Sequence, residues 1–115
     1  MGREPLTITN EKQLQRLVKD MAEKLGWLTY HTKNAMQSDK GFPDLVCAHP
    51  KHGVLFLELK VNAKVTREQE MWIDTLVQAG QFADYVFPAD TEAGAWLERV
   101  LTGEQPIRPS DKEAR

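Results

Sequence analysis

A single cysteine, Cys47, excludes an intrachain disulfide and suits a reducing compartment. Long apolar runs are missing as well: no stretch approaches the roughly 20 residues of a membrane-spanning helix. Met1 to Thr9 has neither the apolar segment nor the small-residue cleavage pattern of a secretory signal. These absences predict a soluble, cytoplasmic protein. Charge of one sign is not in excess either. Fifteen Lys and Arg stand against 17 Asp and Glu, a net charge of -2, without the basic surplus that usually accompanies phosphate binding. The imbalance is local, however. Residues 1 to 70 hold 11 basic and nine acidic side chains, and residues 71 to 115 hold four and eight, so the acidity sits mostly in the C-terminal part. There is no internal repeat and no linker long enough to divide the chain. One domain over residues 1 to 103 is expected, followed by a polar, Pro-containing tail over 104 to 115 that is expected to be disordered.

Periodicity supplies the elements. Leu14, Leu17, Val18, Met21 and Leu25 recur at helical spacing, Asn10 with Gln13 resembles a capping box, and Gly26 can end the run, so a helix is predicted over about Glu11 to Leu25. Trp27 to Thr32 is aromatic and β-branched and reads as a strand, followed by a polar loop over Lys33 to Lys40. Asp44 to Ala48 and Val54 to Val61 read as strands around a turn at His49 to Gly53, which makes a hairpin. Thr66 with Gln69 forms a second plausible capping box, ahead of a helix carrying Trp72, Ile73, Leu76 and Val77 that Gly80 can close. A strand near Ala83 to Phe87 follows. A last helix is expected to begin at Thr91 and to carry Trp96, Leu97, Val100 and Leu101 on one face. The class is α/β with a mixed sheet.

The second hairpin strand carries the chemistry. Val54, Phe56, Glu58 and Lys60 alternate with Leu55, Leu57, Leu59 and Val61, so an acid and a base share one face of an otherwise apolar strand. A turn symmetric about Lys51 pairs Ala48 with Val54, and counting outward sets Asp44 opposite Glu58. Like charges so placed destabilise a sheet. A divalent cation removes the repulsion, because Mg²⁺ favours carboxylates, water and phosphate oxygens. Lys60 on the same face would then stand beside the cation as a point charge. The alternative is a surface ion pair between Glu58 and Lys60, with Asp44 as a turn residue after Pro43.

Gly41-Phe42-Pro43-Asp44 followed by Glu58-Leu59-Lys60 resembles the PD-(D/E)xK nuclease signature, and its context resembles the VRR-NUC family over about Asn10 to Phe87. Glu11, Gln15 and Gln69 also fall where that family places polar residues. The resemblance implies an αβββαβ core of the restriction-endonuclease kind with a mixed sheet flanked by helices. It also implies Mg²⁺ or Mn²⁺ as cofactor, and endonuclease or structure-selective activity on branched DNA such as a Holliday junction. By the same resemblance Asp44, Glu58 and the backbone carbonyl of Leu59 would hold metal. Glu11 would add a water-bridged or second-metal ligand, and Lys60 would position water and offset charge on the phosphate. Gln69 would orient Lys60 or the water. Glu11 is equally suited to the start of a helix and Gln69 to a cap. Lys33, Asn34 and Lys40 form a polar loop ahead of the motif that either grips DNA phosphates or is simply solvated. A homodimer presenting two sites is expected by analogy with junction-resolving relatives. His31, His49 and His52 lack the spacing of a zinc site, and Cys47 lies off the Asp44 face. Two other classes remain open: a non-catalytic nucleic-acid-binding module on the same fold, and a metal-binding or structural domain that never meets nucleic acid.

Overall fold

The computed structural model describes residues 7–33, 39–92 and 95–105. Asn34, and the expected disordered tail beyond Gln105, lie outside them. The elements run α1 (Glu11–Lys24), β1 (Leu28–His31), β2 (Leu45–His49), β3 (Gly53–Leu59), α2 (Arg67–Gln78), β4 (Phe82–Val86), a 3-10 turn (Pro88–Thr91) and α3 (Trp96–Leu101). The strands form one mixed sheet in the order β1-β2-β3-β4, with β4 parallel to β3 and the other pairs antiparallel. The expected class and element order are therefore observed. No helix among the described residues is long and apolar enough to cross a membrane.

Alternation along the strands divides the molecule into two packed faces. Leu45, Cys47, Leu55, Leu57, Leu59 and Val86 point to one side and bury against Leu14, Val18 and Ala22 of α1 and Leu97, Val100 and Leu101 of α3. On the other side Phe56 meets Phe42 and the α2 residue Trp72 meets Phe42, both edge-on, with ring centres 6.3 Å and 5.0 Å apart. That second face carries Glu58.

Two local readings are corrected. The last helix does not begin at Thr91: Pro88 opens a 3-10 turn, the Asp90 carboxylate accepts from the Phe87 N–H at 2.8 Å, and the Thr91 hydroxyl donates back to the Pro88 carbonyl, so α3 starts only at Trp96. At the start of α1, Asn10 does accept from the Gln13 N–H, but the Gln13 amide oxygen reaches past Asn10 to the Thr9 N–H at 2.7 Å. Only half of that capping box forms. At Thr66 both halves are present.

Candidate active site

Gly41 stands at φ +83°, and a Cβ there would collide with the backbone of Glu68 in the first turn of α2. The missing side chain lets the loop press against α2, and Phe42 then wedges between Phe56 and Trp72. Pro43 is fully buried, and its carbonyl accepts from the Thr32 hydroxyl at 2.6 Å. The Asp44 carbonyl accepts from the Thr32 N–H at 2.8 Å, and its carboxylate Oδ2 accepts from the Leu59 N–H at 2.8 Å. Asp44 is thus held from both neighbouring strands. The hairpin register pairs Ala48 with Val54 and Leu45 with Leu57, so one further step outward sets Asp44 across from Glu58.

Glu58 and Lys60 are 2 % and 3 % exposed, which excludes a solvated surface pair. The Lys60 ammonium lies 3.8 Å from Glu58 Oε2 and donates to the Lys64 carbonyl at 3.0 Å. Glu58 Oε1 is buried with no hydrogen-bond partner among the described residues. Such an orphaned acceptor is costly unless something meets it. Burial, then the Asp44 charge, pushes the Glu58 carboxyl up to about 8, with Lys60 pulling the other way. The Asp44 carboxyl is also raised, chiefly by burial, against the lowering effect of the Leu59 N–H, Glu58, Lys60 and His31. Glu11 is raised by partial burial and then by Asp44.

An unpartnered oxygen on a buried carboxyl facing a second carboxylate is a donor set suited to a hard divalent cation such as Mg²⁺ or Mn²⁺. The third carboxylate is not drawn in. Among the described residues no three His, Cys, Asp or Glu side chains gather into a ligand cluster, and Glu11 is exposed at the start of α1, within electrostatic reach of Asp44, Lys60 and Glu58 but not gathered with them. The Leu59 side chain is buried in the core, so only its backbone addresses the site.

A cleft of about 320 Å³ opens over Asp44, lined also by Glu11, Gln15, Gln69, Lys33 and Lys40. Gln69 closes the α2 capping box as well as lining this cleft. Three further lining residues, Lys12, His31 and Asp39, are not marked by any motif. His31 ends β1 opposite Leu45, one residue from Asp44, a proximity that only the pairing of β1 with β2 creates. His49 and His52 stack on each other at 4.2 Å and lie against Trp27 beside the hairpin turn, at the other end of β2. Cys47 is fully buried, and burial pushes its thiol up to about 11, which removes it as a nucleophile.

Comparisons with known proteins bear on this geometry. The VRR-NUC domain family model matches residues 3–86. Among solved structures, one described as a VRR_NUC domain is 24% identical, with a TM-score of 0.58 over 81% of this chain and 91% of the other. A second, described as a VRR_NUC domain protein, is 22% identical, with a TM-score of 0.56 over 71% of this chain and 80% of the other. Comparison with curated proteins found no match.

Proposed function

The chain belongs to the VRR-NUC family of nuclease domains, and from that premise we propose that it is a Mg²⁺- or Mn²⁺-dependent deoxyribonuclease that cuts branched DNA, a Holliday junction among the candidates, as an endonuclease. One observation carries the reading: a buried carboxyl with an unpartnered oxygen, Glu58, set across the hairpin from Asp44 and 3.8 Å from a buried lysine. A solvated ion pair needs none of that burial, and a structural domain gains no stability from an orphaned acceptor.

The residues divide the work. Asp44 and Glu58, with the Leu59 carbonyl, would hold the divalent cation, and Glu11 would reach it through water or serve a second ion; when bound, the cation supplies Lewis-acid polarisation of a phosphoryl oxygen and a more acidic water. Glu58 keeps a proton near neutrality, and giving it up frees the carboxylate to act as a donor. Asp44 stays in place through the Leu59 N–H. The Lys60 ammonium spends one donor on the Lys64 carbonyl and keeps two, enough to orient a water and to offset charge growing on phosphate. Lys33 and Lys40 at the mouth of the cleft would hold the flanking phosphates.

A homodimer belongs to the same reading. β1 is one edge of the sheet, with no strand beyond it among the described residues, and its Leu28 and Tyr30 are 79% and 57% exposed, which offers both backbone and apolar surface to a second copy. Sedimentation should give the mass of two chains, and a monomer at assay concentration would remove the dimer from the proposal.

The test is cleavage of branched, flapped and linear DNA, each with chelator, Mg²⁺ or Mn²⁺. Cutting that requires metal and favours branched substrates is expected. Asp44→Asn, Glu58→Gln and Lys60→Ala should each lose at least a hundredfold in rate with the fold intact, a loss of about 2.7 kcal/mol or more of transition-state stabilisation. Wild-type turnover in any of them overturns the assignment. Metal-independent binding without cutting would instead favour a non-catalytic DNA-binding module.

A further inference from the structure

The outer face of α1 continues the cleft. Lys12 and Gln15 line both the cleft and a shallow depression of about 360 Å³ that runs along the helix past Arg16 and Lys19. Between Lys12 and Lys19 the helix holds three cations and no acid. None of the three makes an ion pair among the described residues, where the pairs are Lys60 with Glu58 and Arg99 with Glu104. On the opposite face of the sheet α2 carries Glu68, Glu70 and Asp74 against Arg67 alone. A polyanion leaving the cleft is therefore repelled by one helix and attracted by the other. Asp20 and Glu23 close the far end of the depression, and Glu23 is engaged by the Thr29 hydroxyl at 2.7 Å.

We propose that Lys12, Arg16 and Lys19 form a second binding surface, which takes the phosphodiester backbone of the DNA arm flanking the scissile bond. The inference rests on the nuclease reading and adds where the substrate lies. Seven residues of helix advance about 10.5 Å. One strand of a duplex carries a phosphate about every 3.4 Å along its axis, so the three cations span about three phosphates. Asp20 and Glu23 end the track there, which sets the length of arm that contributes.

The experiment measures DNA binding rather than cleavage, in chelator. The Lys12→Ala/Arg16→Ala/Lys19→Ala variant is compared with wild type, with a control lacking Lys24, Lys51 and Arg99, and with a charge-keeping Lys12→Arg/Lys19→Arg variant. The probe is a duplex-armed junction labelled for anisotropy, with arms of one helical turn or trimmed to the branch point. With full arms, losing three phosphate contacts should lower the slope of log K against log salt by about 2 to 3. Affinity should fall at least tenfold. The control and the charge-keeping variant should keep the wild-type slope, and the triple variant should lose little on trimmed arms. An unchanged slope in the triple variant, or an equal loss in the control, overturns the α1 surface while wild-type cleavage leaves the nuclease reading standing. Wild type that neither binds nor cuts DNA overturns both. If the alanine variant melts early, the single variants Lys12→Gln, Arg16→Gln and Lys19→Gln decide: each should lower the slope by about 1, and unchanged slopes in all three overturn the proposal.

Discussion

Glu58 is the residue on which the site turns. Its carboxyl ionises near 4.5 in an unfolded chain and at about 8 in the folded protein, because burial and Asp44 disfavour the charge. An acid raised in this way helps the folded state only while it is protonated. Its contribution is whole below about 4.5, falls as pH rises, and is spent above about 8. Melts of metal-free protein should therefore show Tm declining across that window, and Glu58→Gln, which carries no proton to lose, should flatten the decline. A wild type and Glu58→Gln pair with parallel pH profiles would mean that Glu58 is solvated and not the buried group seen here.

At the scale of elements, two joints hold the site together. The capping box of α2 ties Thr66 to Gln69, so both Thr66→Ala and Gln69→Ala should cost about 1 kcal/mol of stability by denaturant titration. Only Gln69 lines the cleft, and its amide nitrogen makes no hydrogen bond among the described residues. A rate loss in Gln69→Ala beyond that of Thr66→Ala measures what this nitrogen adds to the reaction, and equal rates in the two variants would leave Gln69 a cap and nothing more. The second joint is Gly41 against Glu68. Gly41→Ala forces a side chain into a left-handed backbone and against the α2 backbone, at about 1–3 kcal/mol for the conformation alone. Because the same loop seats Asp44, cleavage should fall along with stability. A Gly41→Ala protein with wild-type Tm and rate would show that the loop and α2 are not tightly packed.

For the molecule as a whole, the proposed cation would couple its binding to folding. Two carboxyls held together without a cation weaken the native state, and a cation that binds only the folded chain restores it by about 2.7 kcal/mol at a hundredfold excess over Kd. Wild type should melt higher in Mg²⁺ than in chelator. Asp44→Asn removes one charge at nearly constant shape and keeps an oxygen for the Leu59 N–H. Without metal it should melt at or above the wild-type temperature, and it should gain little from Mg²⁺. If the mutant responds to Mg²⁺ as wild type does, Asp44 is not part of the binding site.

Much of this was legible along the chain because it depends on neighbours in sequence. The 3.6 and 2.0 periods that define α1 and the hairpin strands are local, and the short turn about Lys51 limited the register so tightly that Asp44 could be set against Glu58 by counting. α3 starts later than its apolar spacing implies because Pro88 and Asp90 compete locally with a helix that the spacing alone extends back to Thr91. Burial was beyond counting. Whether Glu58 and Lys60 face water or an apolar interior depends on what α2 and β4 bring over them, and the same pair of charges has opposite meanings in the two settings. The placing of His31 and Lys12 at the cleft likewise needed β1 laid on β2 and α1 laid across the sheet. Sequence determined which groups could do chemistry, since that is a property of side chains and their local spacing. Tertiary structure decided their environment, since desolvation and charge proximity arise only when segments distant in sequence pack together.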